Sequence, residues 1–188
     1  MRVAMTDAER LLFTSFANCS QRYLEFGSGG STWIAASTPK EWLITVDSSQ
    51  EWLAKVSEET KDSPTQPRTQ FVDIGPLGEW GAPTDVSTRD RWPQYHEAVW
   101  QIAESIVADF YFVDGRFRIA CMMQCFLRCR QDAFIAIHDF QRREYYHIVR
   151  EFGREIAMTE NLSVFVRSVD FDARRANDVL KKHWLDTA

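Results

Sequence analysis

Residues 21–32 read QRYLEFGSGGST, and the way this run folds decides the architecture. Gln21–Phe26 is short, aromatic and apolar and stops at a cluster of glycines, which predicts a buried strand ending in a tight turn. Glu25 closes the strand's polar content. Gly27, Ser28 and Gly29 follow, and glycines there permit a tight turn, a close backbone approach and a helix N-terminus aimed at the crevice. A glycine-rich turn alone is a weak signal. It gains weight because Trp42–Asp47 (WLITVD) reads as a second strand, and Asp47 lies 20 residues after Gly27, where a carboxylate can accept the hydroxyl hydrogens of a ribose.

Working outward, Thr6 and Glu9 have the spacing of a capping box, and Leu12, Phe16 and Cys19 continue one face, so a first helix is expected over Asp7–Asn18. Ser48 and Glu51 repeat the capping pattern, with Trp52, Leu53 and Val56 as the inward face of the helix after the second strand. Thr69–Ile74, Asp109–Asp114 and Ala133–His138 (AFIAIH) read as strands three to five, the last nearly continuous in apolar residues and so buried on both faces. Between them the pattern predicts a long Gly-, Pro- and Trp-rich loop over 75–92, a helix opened by Pro93 with a stripe of Tyr95, Val99, Ile102, Ala103 and Ile106, and a helix carrying Cys121, Cys125 and Cys129. Tyr145–Phe152 reads as a further helix. Ile156–Thr159 and Leu162–Arg167 are separated by only two residues, a link that joins antiparallel strands but not parallel ones. Ala176, Val179, Leu180, His183 and Trp184 share one face of a terminal helix. The expectation is a single α/β domain over 1–188, a three-layer α/β/α Rossmann-like fold with a mostly parallel seven-stranded sheet and an antiparallel edge hairpin.

Composition narrows the function classes. The chain of 188 residues is 45% apolar and 26% charged, an ordinary globular mixture with no repeat or linker at which a second domain would begin. Its net charge of -5 repels nucleic acid on average, so no nucleic-acid partner is expected. No apolar run suits a membrane span, and the start, MRVAMTDAER, lacks the apolar stretch of a secretory signal, which points to a cytoplasmic protein with no membrane partner. The three cysteines at i, i+4, i+8 are expected to be reduced core residues rather than metal ligands, because ligands strung over two helical turns do not converge on one point.

Two clusters end the fourth and fifth strands: Val113-Asp114-Gly115 and Ile137-His138-Asp139-Phe140. On neighbouring strands, Asp114 and Asp139 can converge and hold a hard divalent cation such as Mg²⁺, which would activate a hydroxyl on a substrate. His138 is the alternative base, with an ordinary pKa suited to proton removal at neutral pH. Successive strand residues face opposite ways, so His138 and Asp139 both reach the site only if the strand has already ended. Arg116, Arg118, Arg142 and Arg143 follow these strands and are candidates for clamping an anionic substrate. His96 and His183 are expected to be half-buried structural residues. Of the seven Trp, Trp42, Trp52, Trp100 and Trp184 fall in strands or helices and read as packing, whereas Trp80 and Trp92 belong to the long loop and are candidates for closing the site.

The glycine turn resembles the first motif of the class I S-adenosylmethionine-dependent methyltransferases: Glu25, Gly27 and Gly29 match, and Ser31 replaces a third glycine. The resemblance implies that Glu25, Gly27, Ser28 and Gly29 wrap the methionine portion of S-adenosyl-L-methionine, that Asp47 binds its ribose, and that Asp73 or Ile74 lies near its adenine. Asp114, Gly115, His138 and Asp139 are similar to a branch of that superfamily with Asp-Gly after strand four and His-Asp after strand five, some of whose members are metal-assisted O-methyltransferases. The chain departs from that branch at Phe117, Asp132-Ala133 and Phe140. The implied function is methyl transfer to an oxygen of a small molecule, with Asp114, His138 and Asp139 as the chemical residues and Asp114 and Asp139 as possible metal ligands. A nicotinamide-dependent oxidoreductase, whose glycine pattern would need its third glycine at Thr32, and a non-catalytic cofactor-binding protein are the alternatives. The methyl acceptor and the oligomeric state have no signature in the sequence.

Overall fold

A computed structural model describes residue 1 and residues 3–188. Its seven strands are β1 (Arg22–Phe26), β2 (Trp42–Asp47), β3 (Arg68–Phe71), β4 (Phe110–Val113), β5 (Phe134–Ile137), β6 (Gly153–Thr159) and β7 (Leu162–Arg167). They form one sheet in the order β3-β2-β1-β4-β5-β7-β6. Strands β1 to β5 pair in parallel, and β7 runs antiparallel to both β5 and β6. The expected mostly parallel sheet with an antiparallel edge is therefore what the chain builds. Strand order reverses between β1 and β4, so the carboxyl ends of these two strands border the crevice where such sheets take ligands.

Alternating side chains sort the core into two faces. Leu24, Phe26, Tyr111, Val113, Ile135 and Ile137 point to one side of the sheet. That side is covered by α5 (Arg118–Arg128) and α6 (Ala173–Lys182), together with the segment beginning at α4 (Gln94–Glu97). Tyr23, Leu43, Phe110, Phe112 and Ala136 point to the other, under α1 (Asp7–Cys19) and α2 (Gly30–Ala36). The capping box of α1 forms as spaced: Glu9 N donates to Thr6 Oγ1 and Thr6 N to Glu9 Oε2. Helix α3 (Gln50–Thr60) is capped by Ser49, whose hydroxyl accepts from Trp52 N, rather than by Ser48.

Three expectations need correction. The helix after Pro93 holds for one turn only. Beyond Glu97 the chain continues as short 3-10 turns over Ala98–Gln101 and Ala103–Val107, broken at Ile102, where φ and ψ are -86° and 115°. Tyr95 and Val99 are buried as the stripe requires, but Ile106 is exposed and Ser105 is buried in its stead, its hydroxyl satisfied by the Ile102 carbonyl. Glu144–Glu151 is likewise a 3-10 helix rather than an α-helix. Strand β3 ends at Phe71, so Val72 and Ile74 enter the core from an irregular segment. Cys121, Cys125 and Cys129 are buried thiols whose pKa burial pushes up, in keeping with the core reading. His96 is fully buried between Gln124 and the Trp184 carbonyl, and burial pulls its pKa down to about 4. Among the described residues no helix is long and apolar enough to cross a membrane.

Candidate functional site

A cleft of about 930 Å³ opens at the β1/β4 switch point and is lined by Gly27, Ser28, Gly29, Asp47, Asp114 and Asp139, among others. That size and place suit a small-molecule or cofactor site. On its β1 side the turn after Phe26 is fixed by backbone and buried hydroxyls. Gly27 has φ 97°, a conformation open to glycine, and its N–H donates to the Val46 carbonyl. A Cβ on Gly27 would stand 2.5 Å from the Gly115 nitrogen, so the turns after β1 and β4 touch backbone to backbone and leave no room for a side chain.

Glu25 lies beneath this turn instead of facing the cleft. It is wholly buried and accepts from Tyr23 Oη at 2.8 Å, Ser31 Oγ at 2.8 Å and the Thr32 hydroxyl. Burial raises its pKa to about 7 against the opposing pull of those hydrogen bonds. Its part is to brace the turn from below. Ser31, which stands where a third glycine was expected, thus supplies one of the hydroxyls that hold Glu25.

Asp47 ends β2 at the rim of the same turn. Its two oxygens accept from Ser28 N and Ser49 N, each at 2.9 Å, and burial raises its pKa while these backbone donors oppose the rise. Each carboxylate oxygen keeps a further lone pair for a ligand hydroxyl. Trp52, expected inside, is 37% exposed and forms part of the cleft wall, its indole N–H donating to the Ser28 carbonyl at 2.7 Å. Sequence periodicity missed it because α3 turns this residue toward the glycine turn, a contact between elements that no local pattern encodes. Asp73 and Ile74 are not brought to the cleft: Asp73 is turned outward to Arg91 at 2.6 Å, and Ile74 is buried in the core. Trp92 is also core, packed near Phe117, and only Trp80 of the two loop tryptophans lines the cleft.

The β4/β5 side is built from charge. Strand β5 ends at Ile137, and Asp139 takes a left-handed conformation with φ 58°, which lets both His138 and Asp139 line the cleft. His138 Nδ1 lies 3.1 Å from Asp114 Oδ1, and its Nε2 lies 3.4 Å from Glu9 Oε2 on α1. Burial pulls the His138 pKa down, but the hydrogen bond to Asp114 and the charges of Asp114, Asp139 and Glu9 outweigh it and hold the pKa at about 9. His138 is therefore an imidazolium at neutral pH, not the free base expected.

Arg118 completes this cluster. Its side chain is 3% exposed, and Nη1 donates to Asp139 Oδ2 at 3.0 Å and to the His138 carbonyl at 2.6 Å. Nη2 reaches Asp114 Oδ1 at 3.2 Å, and Nε donates to the Gly115 carbonyl at 3.0 Å. Arg143 adds a bond to Asp139 at 3.0 Å, while Arg142 is exposed and outside the cleft. Of the four arginines, then, two are spent on internal carboxylates. One donor atom from each of Asp114, His138 and Asp139 lies within 4.8 Å of the others, a spacing a metal could use. The donor set does not fit a Mg²⁺ ion, however, because both carboxylates already bond the buried Arg118 guanidinium, Asp139 also bonds Arg143, and the third donor is a ring nitrogen where Mg²⁺ takes oxygen. Three carboxylates, Glu9, Asp114 and Asp139, meet three cations, Arg118, His138 and Arg143, and a dication would unbalance them.

A comparison with known protein families finds no match, and no curated protein matches the chain. Among solved structures, the chain is similar to a methyltransferase-like protein from Silicibacter pomeroyi at 26% identity and TM-score 0.87, covering 98% of this chain and 97% of that one. A ribosomal protein L11 methylase from Lactobacillus delbrueckii subsp. bulgaricus superposes at TM-score 0.60 with 9% identity, over 89% of this chain and 81% of that one. A phosphoethanolamine N-methyltransferase from Haemonchus contortus, in complex with phosphoethanolamine and S-adenosylhomocysteine, superposes at TM-score 0.53 with 11% identity, over 94% of this chain and 46% of that one. The strand order, the antiparallel β7 and these superpositions agree on one architecture, the Rossmann-like methyltransferase fold.

Proposed function

We propose that the protein binds S-adenosyl-L-methionine in the cleft and transfers its methyl group to an oxygen of a small molecule without a divalent metal. The observation that carries this reading is the meeting, in one cleft, of the side-chain-free turn at Gly27, the Asp47 carboxylate and the Asp114–His138–Asp139 cluster. Gly27, Ser28 and Gly29 would hold the amino-acid end of the cofactor, Asp47 its ribose hydroxyls, and Trp52 the adjoining wall. The cofactor supplies an electrophilic methyl group on sulfonium.

The chain's own residues then have to place an oxygen and remove its proton. Asp114 sits beside Gly115 at the seam between the two turns, where its backbone packs against Gly27. Asp114 would accept the hydroxyl proton as the acceptor oxygen takes the methyl group that the cofactor would supply, with S-adenosylhomocysteine as the leaving group. His138 and Arg118 contact the Asp114 carboxylate directly and hold it in position at the cleft. The negative net charge of the chain and the size of the cleft, about 930 Å³, favour a small molecule over a nucleic acid as acceptor.

Calorimetric titration with S-adenosylhomocysteine tests the cofactor assignment, and no binding at millimolar ligand overturns it. Transfer of labelled methyl from S-adenosyl-L-methionine to a panel of hydroxyl compounds, with and without EDTA, tests the chemistry; activity abolished by EDTA and restored by Mg²⁺ overturns the metal-free assignment. The locking of Asp114 and Asp139 into ion pairs favours one second reading, a protein that binds the cofactor without turnover, which predicts binding in the first experiment and no transfer in the second.

A further inference from the structure

Arg116 is the cation of the cleft that no carboxylate answers. Arg118, Arg143 and His138 each pair with Asp114 or Asp139, but Arg116 has no acidic partner within 4.0 Å among the described residues. Its Nε is buried without a hydrogen-bond partner. Its backbone is held in place, the N–H near Tyr95 Oη at 3.5 Å and the carbonyl accepting from Cys121 Sγ at 3.5 Å. Burial and the like charges of Arg118 and Arg143 press its pKa down, so its neighbours repel the charge instead of balancing it. A half-buried guanidinium left this way is costly unless an anion arrives, and a planar guanidinium suits a carboxylate in two-point contact.

We propose that Arg116 anchors a carboxylate on the methyl acceptor, so that the site's substrates are small hydroxy acids. The inference rests on the methyltransferase reading for the word acceptor, and on the cleft alone for the anion. Among the described residues, balanced charge elsewhere in the cluster leaves Arg116 as a site of net attraction, which also explains how an acidic protein would draw an acidic substrate into this cleft. The same chemistry could come from the amino-acid carboxylate of the cofactor, and the test must separate the two sources.

The experiment follows the Nε–Hε NMR signals of protein labelled with ¹⁵N-arginine, titrated with sodium acetate against sodium chloride at constant ionic strength, with and without saturating S-adenosylhomocysteine. Loss of one signal in Arg116→Met assigns it; should that variant not fold, Arg116→Lys assigns the same signal and keeps the charge. The expected result is a saturable acetate shift of the Arg116 signal in both samples, at least about fivefold larger than any shift of Arg118 or Arg143. Absence of a saturable shift overturns the anion site. A shift produced by S-adenosylhomocysteine that removes the acetate response assigns the anion to the cofactor and overturns the acceptor claim. Failure of the cofactor to bind is visible separately, in a uniformly ¹⁵N-labelled sample, as unmoved amides at Ser28 and Ser49 beside Asp47, and it defeats the methyltransferase reading and with it the hydroxy-acid claim.

Discussion

The two sides of the cleft are built by opposite means. The β1/β2 side holds its shape with backbone amides and hydroxyls drawn from residues 23–52, around one buried carboxyl, Glu25. The β4/β5 side holds its shape with ion pairs among Glu9, Asp114, Arg118, His138, Asp139 and Arg143, which come from three separate parts of the chain. A cradle of backbone amides and hydroxyls, with the Asp47 carboxylate at its rim, suits a cofactor that carries its own charges and hydroxyls. A charge-balanced cluster instead orients groups at fixed positions, and it fails badly if one member is lost.

The largest effect is therefore expected at Arg118. Replacing it with Met leaves Asp114 and Asp139 facing each other with one fewer cation, and breaking a buried pair in this way costs about 3–5 kcal/mol. In a domain of this size that lowers Tm by roughly 10 °C or more. Thermal unfolding of the variant measures it. Millimolar Mg²⁺ should leave the Tm of the parent protein unchanged, and a clear rise with Mg²⁺ would show that the guanidinium yields its place to a metal after all.

The two sides should also separate on a pH axis. Glu25 has its folded pKa raised to about 7 from an ordinary 4.5, so the folded state holds the proton more tightly than the unfolded chain. Its contribution is full below pH 4.5 and is lost as pH rises through 7. His138 is raised to about 9 from 6.5, so its contribution is full below 6.5 and is lost as pH rises through 9. Each is worth at most about 3 kcal/mol across its window. Chemical denaturation at a series of pH values should show the second decline vanish in His138→Gln while the first persists, and the reverse in Glu25→Gln. Loss of both declines in a single variant would mean that the two sides are electrostatically one.

This division also explains what could be read in the sequence. The turn at Gly27 and the carboxylate at Asp47 were legible because spacing along one strand-turn-helix unit carries them, and the mostly parallel sheet with its antiparallel edge followed from alternation and the two-residue link before Leu162. The convergence of Asp114, His138 and Asp139 was legible on the condition that strands four and five are neighbours, which β4 and β5 are. Arg118 as the internal counter-ion was not. It opens α5 and reads as one of four loop arginines, and only the left-handed Phe117 before it, at φ 54°, turns it back under the strand ends. Glu9 was legible as a capping residue and not as a partner of His138, because the same Glu9 carboxylate caps Thr6 N, accepts from Asn161 N and meets the imidazole. The helix after Pro93 misled because its stripe of apolar residues is real at Tyr95 and Val99, yet the packing of Tyr111 Oη onto the Ser105 carbonyl suits the broken chain better.

Gly27 gives the third test, at the seam between the two sides. Gly27→Ala sets a Cβ 2.5 Å from the Gly115 nitrogen and forces an alanine to φ 97°. The strain and overpacking together cost about 1–3 kcal/mol. Because the displaced atoms belong to both turns, the variant should lose affinity for S-adenosylhomocysteine in calorimetry and, in the methyl-transfer assay, lose rate as well. A variant that binds the cofactor normally would show that the two turns move independently.

The smallest effect on stability, and the most selective effect on binding, is expected at Trp80. Its ring is 85% exposed, and its backbone is held at φ 57°, a conformation unfavourable for a bulky residue. Neither feature helps the folded chain by itself. The turn that imposes them is closed by Gly78 N donating to the Ala82 carbonyl at 2.7 Å and by the bridge between Leu77 and Pro83, so the ring is fixed at the cleft while most of it stays in water. An apolar ring held there at a cost has its return in what it covers when the cleft is filled. Trp80→Ala should change stability by less than about 0.5 kcal/mol, since an exposed side chain is removed. It should nonetheless weaken S-adenosylhomocysteine binding or raise the KM for the acceptor. Loss of stability with binding intact would instead place the ring's role in the loop's own packing, and a shift in acceptor KM alone would assign the ring to the charged side of the cleft rather than to the glycine turn.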